Sequence, residues 1–74
     1  MKIETLIERL NKKSDKQLQL YTCNYMKLNK EDLIWFLEED EEIKIDRKLT
    51  YLQIVNQYRE DVITLIVELL ESCD

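Results

Sequence analysis

The stretch Thr50 to Leu70, TYLQIVNQYREDVITLIVELL, constrains the fold of this chain more than any other. Tyr51, Val55, Tyr58, Val62, Leu65 and Leu69 recur at alternating steps of four and three, which at about 100° per residue lines them along one helical stripe. From Val62 onward Ile63, Ile66, Val67 and Leu70 widen the apolar arc to roughly 220°, leaving only Asp61, Thr64, Glu68 and Glu71 polar. One neighbour can hardly cover so wide an arc. The pattern predicts a long central helix over 50–72, contacted by several other segments or by a second copy of the chain, and it makes Ile63, Val67 and Leu70 the candidate self-association surface of a homodimer.

Three shorter amphipathic segments precede it. Ile3, Leu6, Ile7 and Leu10 form a core-facing stripe over 2–13, whose last turn carries Arg9, Lys12 and Lys13. Ser14 and Gln17 have capping-box spacing and open a second helix over 15–27, with Leu18, Tyr21, Tyr25 and Leu28 as its stripe. Asn29 followed by Asp32 opens a third over 30–40, with Leu33, Phe36 and Leu37 facing inward and Ile34 at the edge. Ile43, Lys44, Ile45 and Asp46 alternate, as in a short extended connector over 43–46 that tucks two isoleucines under the domain. Thr50 and Gln53 repeat the capping box before the long helix. The expectation is an all-α fold: a small compact bundle of about four helices forming one domain, 1–74.

At 74 residues such a core is marginal, and association would relieve that. Composition also narrows the chemistry. Without glycine there is no phosphate-cradling loop, and without histidine there is no imidazole base and no His-containing zinc site. These absences point away from an enzyme, a cofactor or a metal site. The acidic run Glu38 to Glu42 also fails as a calcium loop, because its carboxylates are consecutive and no glycine makes the turn. Cys23 and Cys73 stand fifty positions apart, without redox or metal spacing, and read as ordinary thiols. The N-terminal MKIETLIERLNKK has no signal-peptide core, and Thr64 and Glu68 interrupt the apolar C-terminal stretch, so a cytoplasmic protein that makes no membrane contact is expected. The lack of Ala, Gly and Pro, beside the presence of Ile, Lys, Asn and Tyr, suggests an AT-rich genome, bacterial or viral.

Charge is sorted along the chain. Residues 1–30 hold seven Lys or Arg against three Asp or Glu, a net of +4, whereas residues 31–46 hold one against eight, a net of −7. Within the acidic segment Trp35 points nearly opposite the core stripe of its helix, among Glu31, Asp32, Glu38 and Glu39, with Asp40, Glu41 and Glu42 following. An aromatic ringed by carboxylates has the anatomy of a docking anchor with an electrostatic rim, suited to a basic partner such as a nucleic-acid-binding protein. The plainer reading is a solvated helix end, with Trp35 packed on the connector or the long helix.

Glu68, Glu71 and Asp74 crowd the negative end of the long helix, so the basic end of the first helix is expected to lie beside it, in the same chain or in a symmetry-related copy. Direct nucleic-acid contact is disfavoured by the net charge of −5 and by the absence of a stacked aromatic pattern among the basic residues. The functional expectation is a non-catalytic interaction module, a small acidic regulator or inhibitor that mimics nucleic acid and is phage-encoded by analogy. The alternatives are an assembly subunit joined through its C-terminal helix, and a helix-turn-helix DNA-binding regulator.

Overall fold

The computed structural model describes residues 3–40 and 42–72. The expectations for Glu41 and Cys73, and the outermost residues of the first helix and of the C-terminus, lie outside the described residues. All of the described regular structure is helical: α1 (Ile3–Asn11), α2 (Asp15–Leu20) continuing as a π-helical turn (Tyr21–Tyr25), α3 (Lys30–Asp40), α4 (Tyr51–Gln57) and α5 (Arg59–Ser72). The small all-α bundle expected from periodicity is therefore the observed architecture.

The starts of the helices follow local chemistry. Ser14 Oγ accepts from the Gln17 N–H at 3.2 Å while Gln17 Oε1 accepts from the Ser14 N–H at 2.9 Å. Thr50 and Gln53 repeat this exchange at 3.2 and 2.8 Å. Asn29 Oδ1 accepts from the Asp32 N–H at 2.7 Å, and the reciprocal bond to Asp32 Oδ2 is longer, at 3.5 Å. Each pair satisfies amide donors that the first helical turn leaves without partners.

The core gathers on α5, which packs against α1, α3 and α4. Val62, Leu65 and Ile66 are fully buried, with Leu18, Leu33, Leu37, Ile54 and Val55 around them. The wide apolar arc thus finds its several neighbours within one chain. Ile63 and Val67, expected to await a second copy, are only 4% and 7% exposed, because α1 lies along that side of α5. Leu70 stays half-buried.

Five further expectations need correction. The long helix is two helices: Tyr58 sits at φ −115°, ψ 39°, ending α4, and α5 begins at Arg59. The stripe of α1 is only partly sheltered. Leu10 is buried, but Ile3 and Ile7 are 47% and 36% exposed, since α1 lies at the margin of the bundle with a single strong neighbour. In α3, Ile34 is buried and Phe36 only half-buried, the reverse of the expected edge.

The stripe of the second helix is broken by the π turn, in which the Met26 N–H bonds Tyr21 O, five residues back, at 3.1 Å. The extra residue in that turn retards the angular advance of the helix. Thr22 accordingly faces the core, fully buried, and Tyr25 turns out to 68% exposure. The Thr22 hydroxyl lies 3.0 Å from both Leu18 O and Gln19 O, to which it can donate, and its oxygen accepts from the Tyr51 hydroxyl at 2.6 Å. Burial pushes the Tyr51 phenol up to about 12, so it stays a donor throughout the physiological range.

Within one chain the basic end of α1 does not reach the C-terminal end of α5. The two helices run antiparallel, and the end of α1 meets the start of α5, where the Arg59 guanidinium donates to Asn11 O at 2.9 Å, to Lys13 O and, more distantly, to Leu10 O. A cation from α5 thereby satisfies carbonyls at the negative end of α1, the inverse of the expected pairing. Arg59 also holds Asp15 Oδ1 at 2.7 Å, and Asn56 Nδ2 donates to Asp15 Oδ2 at 2.6 Å. One polar clamp joins the α1–α2 turn to the break between α4 and α5.

Candidate functional site

Helix α3 buries Leu33, Ile34 and Leu37 and presents its remaining side outward. Trp35 lies on that outer side, 57% exposed, its ring edge-to-face with Phe36 at a centroid distance of 5.0 Å. Its neighbours one helical turn away in each direction are Glu31 and Asp32 before it and Glu38 and Glu39 after it. The exposed indole amid carboxylates is as the spacing predicts, and packing of Trp35 into the core is not observed.

The carboxylates divide into two groups. Glu38 is engaged within the fold, where its Oε2 accepts from the Ile45 N–H at 3.1 Å and its Oε1 holds Arg47 Nη2 at 3.1 Å. This pins the 43–46 connector beneath the end of α3 and seats Ile45, 2% exposed, in the core. Asp32 is occupied at the helix start with Asn29. Glu38 and Asp32 are thus structural residues first, a role that helical spacing alone does not reveal because their partners are set by caps and by chain reversal. Glu31, Glu39, Asp40 and Glu42 are exposed, outside these bonds, and form the solvent-facing acidic surface.

The rim around the indole carries both signs. A cleft of about 400 Å³ is lined by Lys30, Glu31, Ile34, Trp35 and Arg47. Lys30 Nζ donates to Arg47 O at 2.6 Å, drawing the 47–48 turn against the start of α3. The expected ring of carboxylates is therefore open on one side, where the two cations stand. Among the described residues, no three of His, Cys, Asp or Glu come together as a metal-ligating group. No helix among them is long and apolar enough to cross a membrane.

Two carboxyl groups are held below their ordinary range. Hydrogen bonds from Asn56 and then Arg59 lower Asp15, and the Ile45 amide, followed by Arg47, lowers Glu38. Carboxyls with depressed folded-state values stabilise the fold above their unfolded values, near pH 4, and that contribution is lost as pH falls through the lower folded ones. A denaturation series from pH 6 to pH 2 should therefore show stability falling below about pH 4. The Asp15→Asn/Glu38→Gln variant should be less stable at pH 6 and show a flatter acid limb.

The surface assigned to self-association is largely internal. Ile63 and Val67 floor a shallow groove of about 300 Å³ between α1 and α5, with Ile7, Asn11, Glu60 and Thr64 also lining it. Cys23 is an exposed free thiol on the π turn. No protein-family model matches the chain, and no curated protein or solved structure does.

Proposed function

We propose that this chain is a non-catalytic protein-interaction module, a small acidic regulator that docks the Trp35 side of α3 onto a basic, nucleic-acid-binding surface of a partner protein. The observation that carries the reading is the 57% exposure of the chain's one tryptophan on a helix side where Glu31, Glu39 and Asp40 face solvent, with Lys30 and Arg47 along one edge. Leaving so large an apolar ring in water forfeits burial that the small core needs, and aromatic anchors of this kind concentrate the affinity of protein interfaces. Glu31, Glu39, Asp40 and Glu42 would steer the encounter and compete with phosphate for the partner's Lys and Arg side chains. An inhibitor acting this way needs no cofactor and no reaction chemistry.

The test compares the native chain with Trp35→Ala and with a Glu31→Gln/Glu39→Gln/Asp40→Asn/Glu42→Gln variant, each immobilised and exposed to host extract. Native protein should retain basic proteins at about 0.1 M salt and release them toward 1 M, where the screening length shrinks from about 10 Å to about 3 Å. Trp35→Ala should keep its helical signal and bind roughly 30-fold more weakly, the loss of about 2 kcal/mol expected of a hot-spot aromatic. The acid-neutralised variant should lose mainly association rate. Equal retention by all three proteins, or an unfolded Trp35→Ala, would remove the basis of this reading.

A further inference from the structure

Helix α1 and the π turn frame a second cleft, of about 510 Å³, lined by Leu6, Arg9, Leu10, Lys12, Lys13 and Tyr21 and by no residue of α3. Leu10 is buried at its floor, Leu6 and Tyr21 are half-buried, and Arg9 and Lys12 are exposed at the edge. Lys13 Nζ lies 6.0 Å from the centre of the Tyr21 ring, which stacks on Tyr25 at 5.0 Å with the planes 25° apart. The outward turn of Tyr25, imposed by the π-helical register, extends this aromatic wall into solvent. The cleft is the counterpart of the α3 surface: an apolar and aromatic floor edged by cations, against an indole edged mainly by carboxylates, with Lys30 and Arg47 on one side.

We infer that the cleft between α1 and the π turn receives the Trp35 side of α3 from a second copy of this chain, joining copies head to tail. The inference rests on the reading of Trp35 as a docking anchor and names one occupant for the complementary surface. Its support is charge complementarity between the two surfaces: Arg9, Lys12 and Lys13 line the cleft, whereas the exposed Glu31, Glu39 and Asp40 stand on the Trp35 helix. In this pairing the indole covers Leu6 and Tyr21, while Arg9, Lys12 and Lys13 meet Glu31, Glu39 and Asp40. The contact joins unlike surfaces, so where it is not returned within a pair each copy keeps one free half and association continues in series as a heterologous contact. A basic partner that takes the Trp35 side would compete with this self-contact.

Sedimentation of the purified chain tests the inference. At about 0.1 M salt the average mass should rise with concentration above the 9.1 kDa of one copy, with association at least tenfold weaker near 1 M salt. Trp35→Ala and Arg9→Gln/Lys12→Gln/Lys13→Gln should each remain folded by helical signal and sediment as single copies. Mixed together they should form a one-to-one pair, because each retains the half that the other lacks. The inference is overturned if the native chain stays a single copy, if either variant alone associates like the native chain, or if the mixture fails to pair. Binding of a single-stranded oligonucleotide that depends on the three cations, with no self-association, would assign the cleft to nucleic acid instead. The triple-Gln variant retains the Trp35 side and should still capture a basic partner, so failure of self-association leaves the proposed function standing.

Discussion

Val67→Glu should give a destabilised or unfolded protein, not a well-folded monomer released from a dimer. Val67 is 7% exposed beneath α1, on the side of α5 that also carries Ile63. Replacing it removes about 1.5–3 kcal/mol of apolar burial, and the carboxylate must either lose hydration or push α1 aside. Glu60 and Glu68 border the same groove and add like-charge repulsion. The combined cost is about 3 kcal/mol or more, and at several degrees per kcal/mol for a domain of this size the melting temperature should fall by more than about 10 °C. A variant that melts like the native protein but has half its mass would show that this side of α5 is an interface and that α1 is displaced from it in solution.

Arg59→Ala should be nearly as damaging, although Arg59 is not a core residue. Its side chain, 28% exposed, bridges the last carbonyls of α1 to Asp15 at the start of α2. Removing it leaves the end of α1 without its cation and Asp15 with Asn56 as its remaining partner in this clamp. Hydrogen bonds to charged groups contribute about 1.5–3 kcal/mol each when shielded, and partial exposure reduces this, so a loss of about 2 kcal/mol is expected for the set. Arg59→Lys should recover only part of it, because an ammonium supplies charge without the planar fork that reaches the carboxylate and the carbonyls together. Thermal denaturation of the two variants checks this, and an Arg59→Ala protein within 2 °C of native would mean the clamp contributes little.

The parts of this fold that could be read from sequence are those decided by near neighbours. The Ser14–Gln17, Asn29–Asp32 and Thr50–Gln53 pairs each mark an observed helix start, because a cap needs only residues three apart. Of the two isoleucines that the alternation tucks under the domain, Ile45 is seated in the core and Ile43 is half-buried against it. The outward direction of Trp35 follows from the opposing direction of Leu33 and Leu37 on the same helix.

What could not be read depends on distant partners. Tyr58 interrupts the last helix without glycine or proline. The apolar seam continues across the break, with the Tyr58 N–H still bonding Ile54 O at 2.9 Å and the Val62 N–H bonding Tyr58 O at 2.8 Å, so periodicity gives no sign of it. The left-handed turns at Lys27 and Glu42, φ 58° and 54°, are hidden for a related reason, since a chain without glycine places ordinary residues where glycine would have marked the position. In the acidic surface, helical spacing found the carboxylates around Trp35 but not the commitment of Glu38 to the Ile45 amide, which requires the connector to fold back beneath α3.

Under the proposed docking, the indole of α3 stands in water until a basic partner covers it. Trp35 is the chain's one tryptophan, so emission excited selectively at tryptophan over the four tyrosines reports within this chain on it alone. In dilute solution, as a single copy, the protein should emit close to the wavelength of free indole in water and be readily quenched by acrylamide; on addition of the captured basic partner the emission should move to the blue and the quenching fall. Blue-shifted, protected emission from the dilute single copy would contradict the claim, as would emission that does not change when the partner binds.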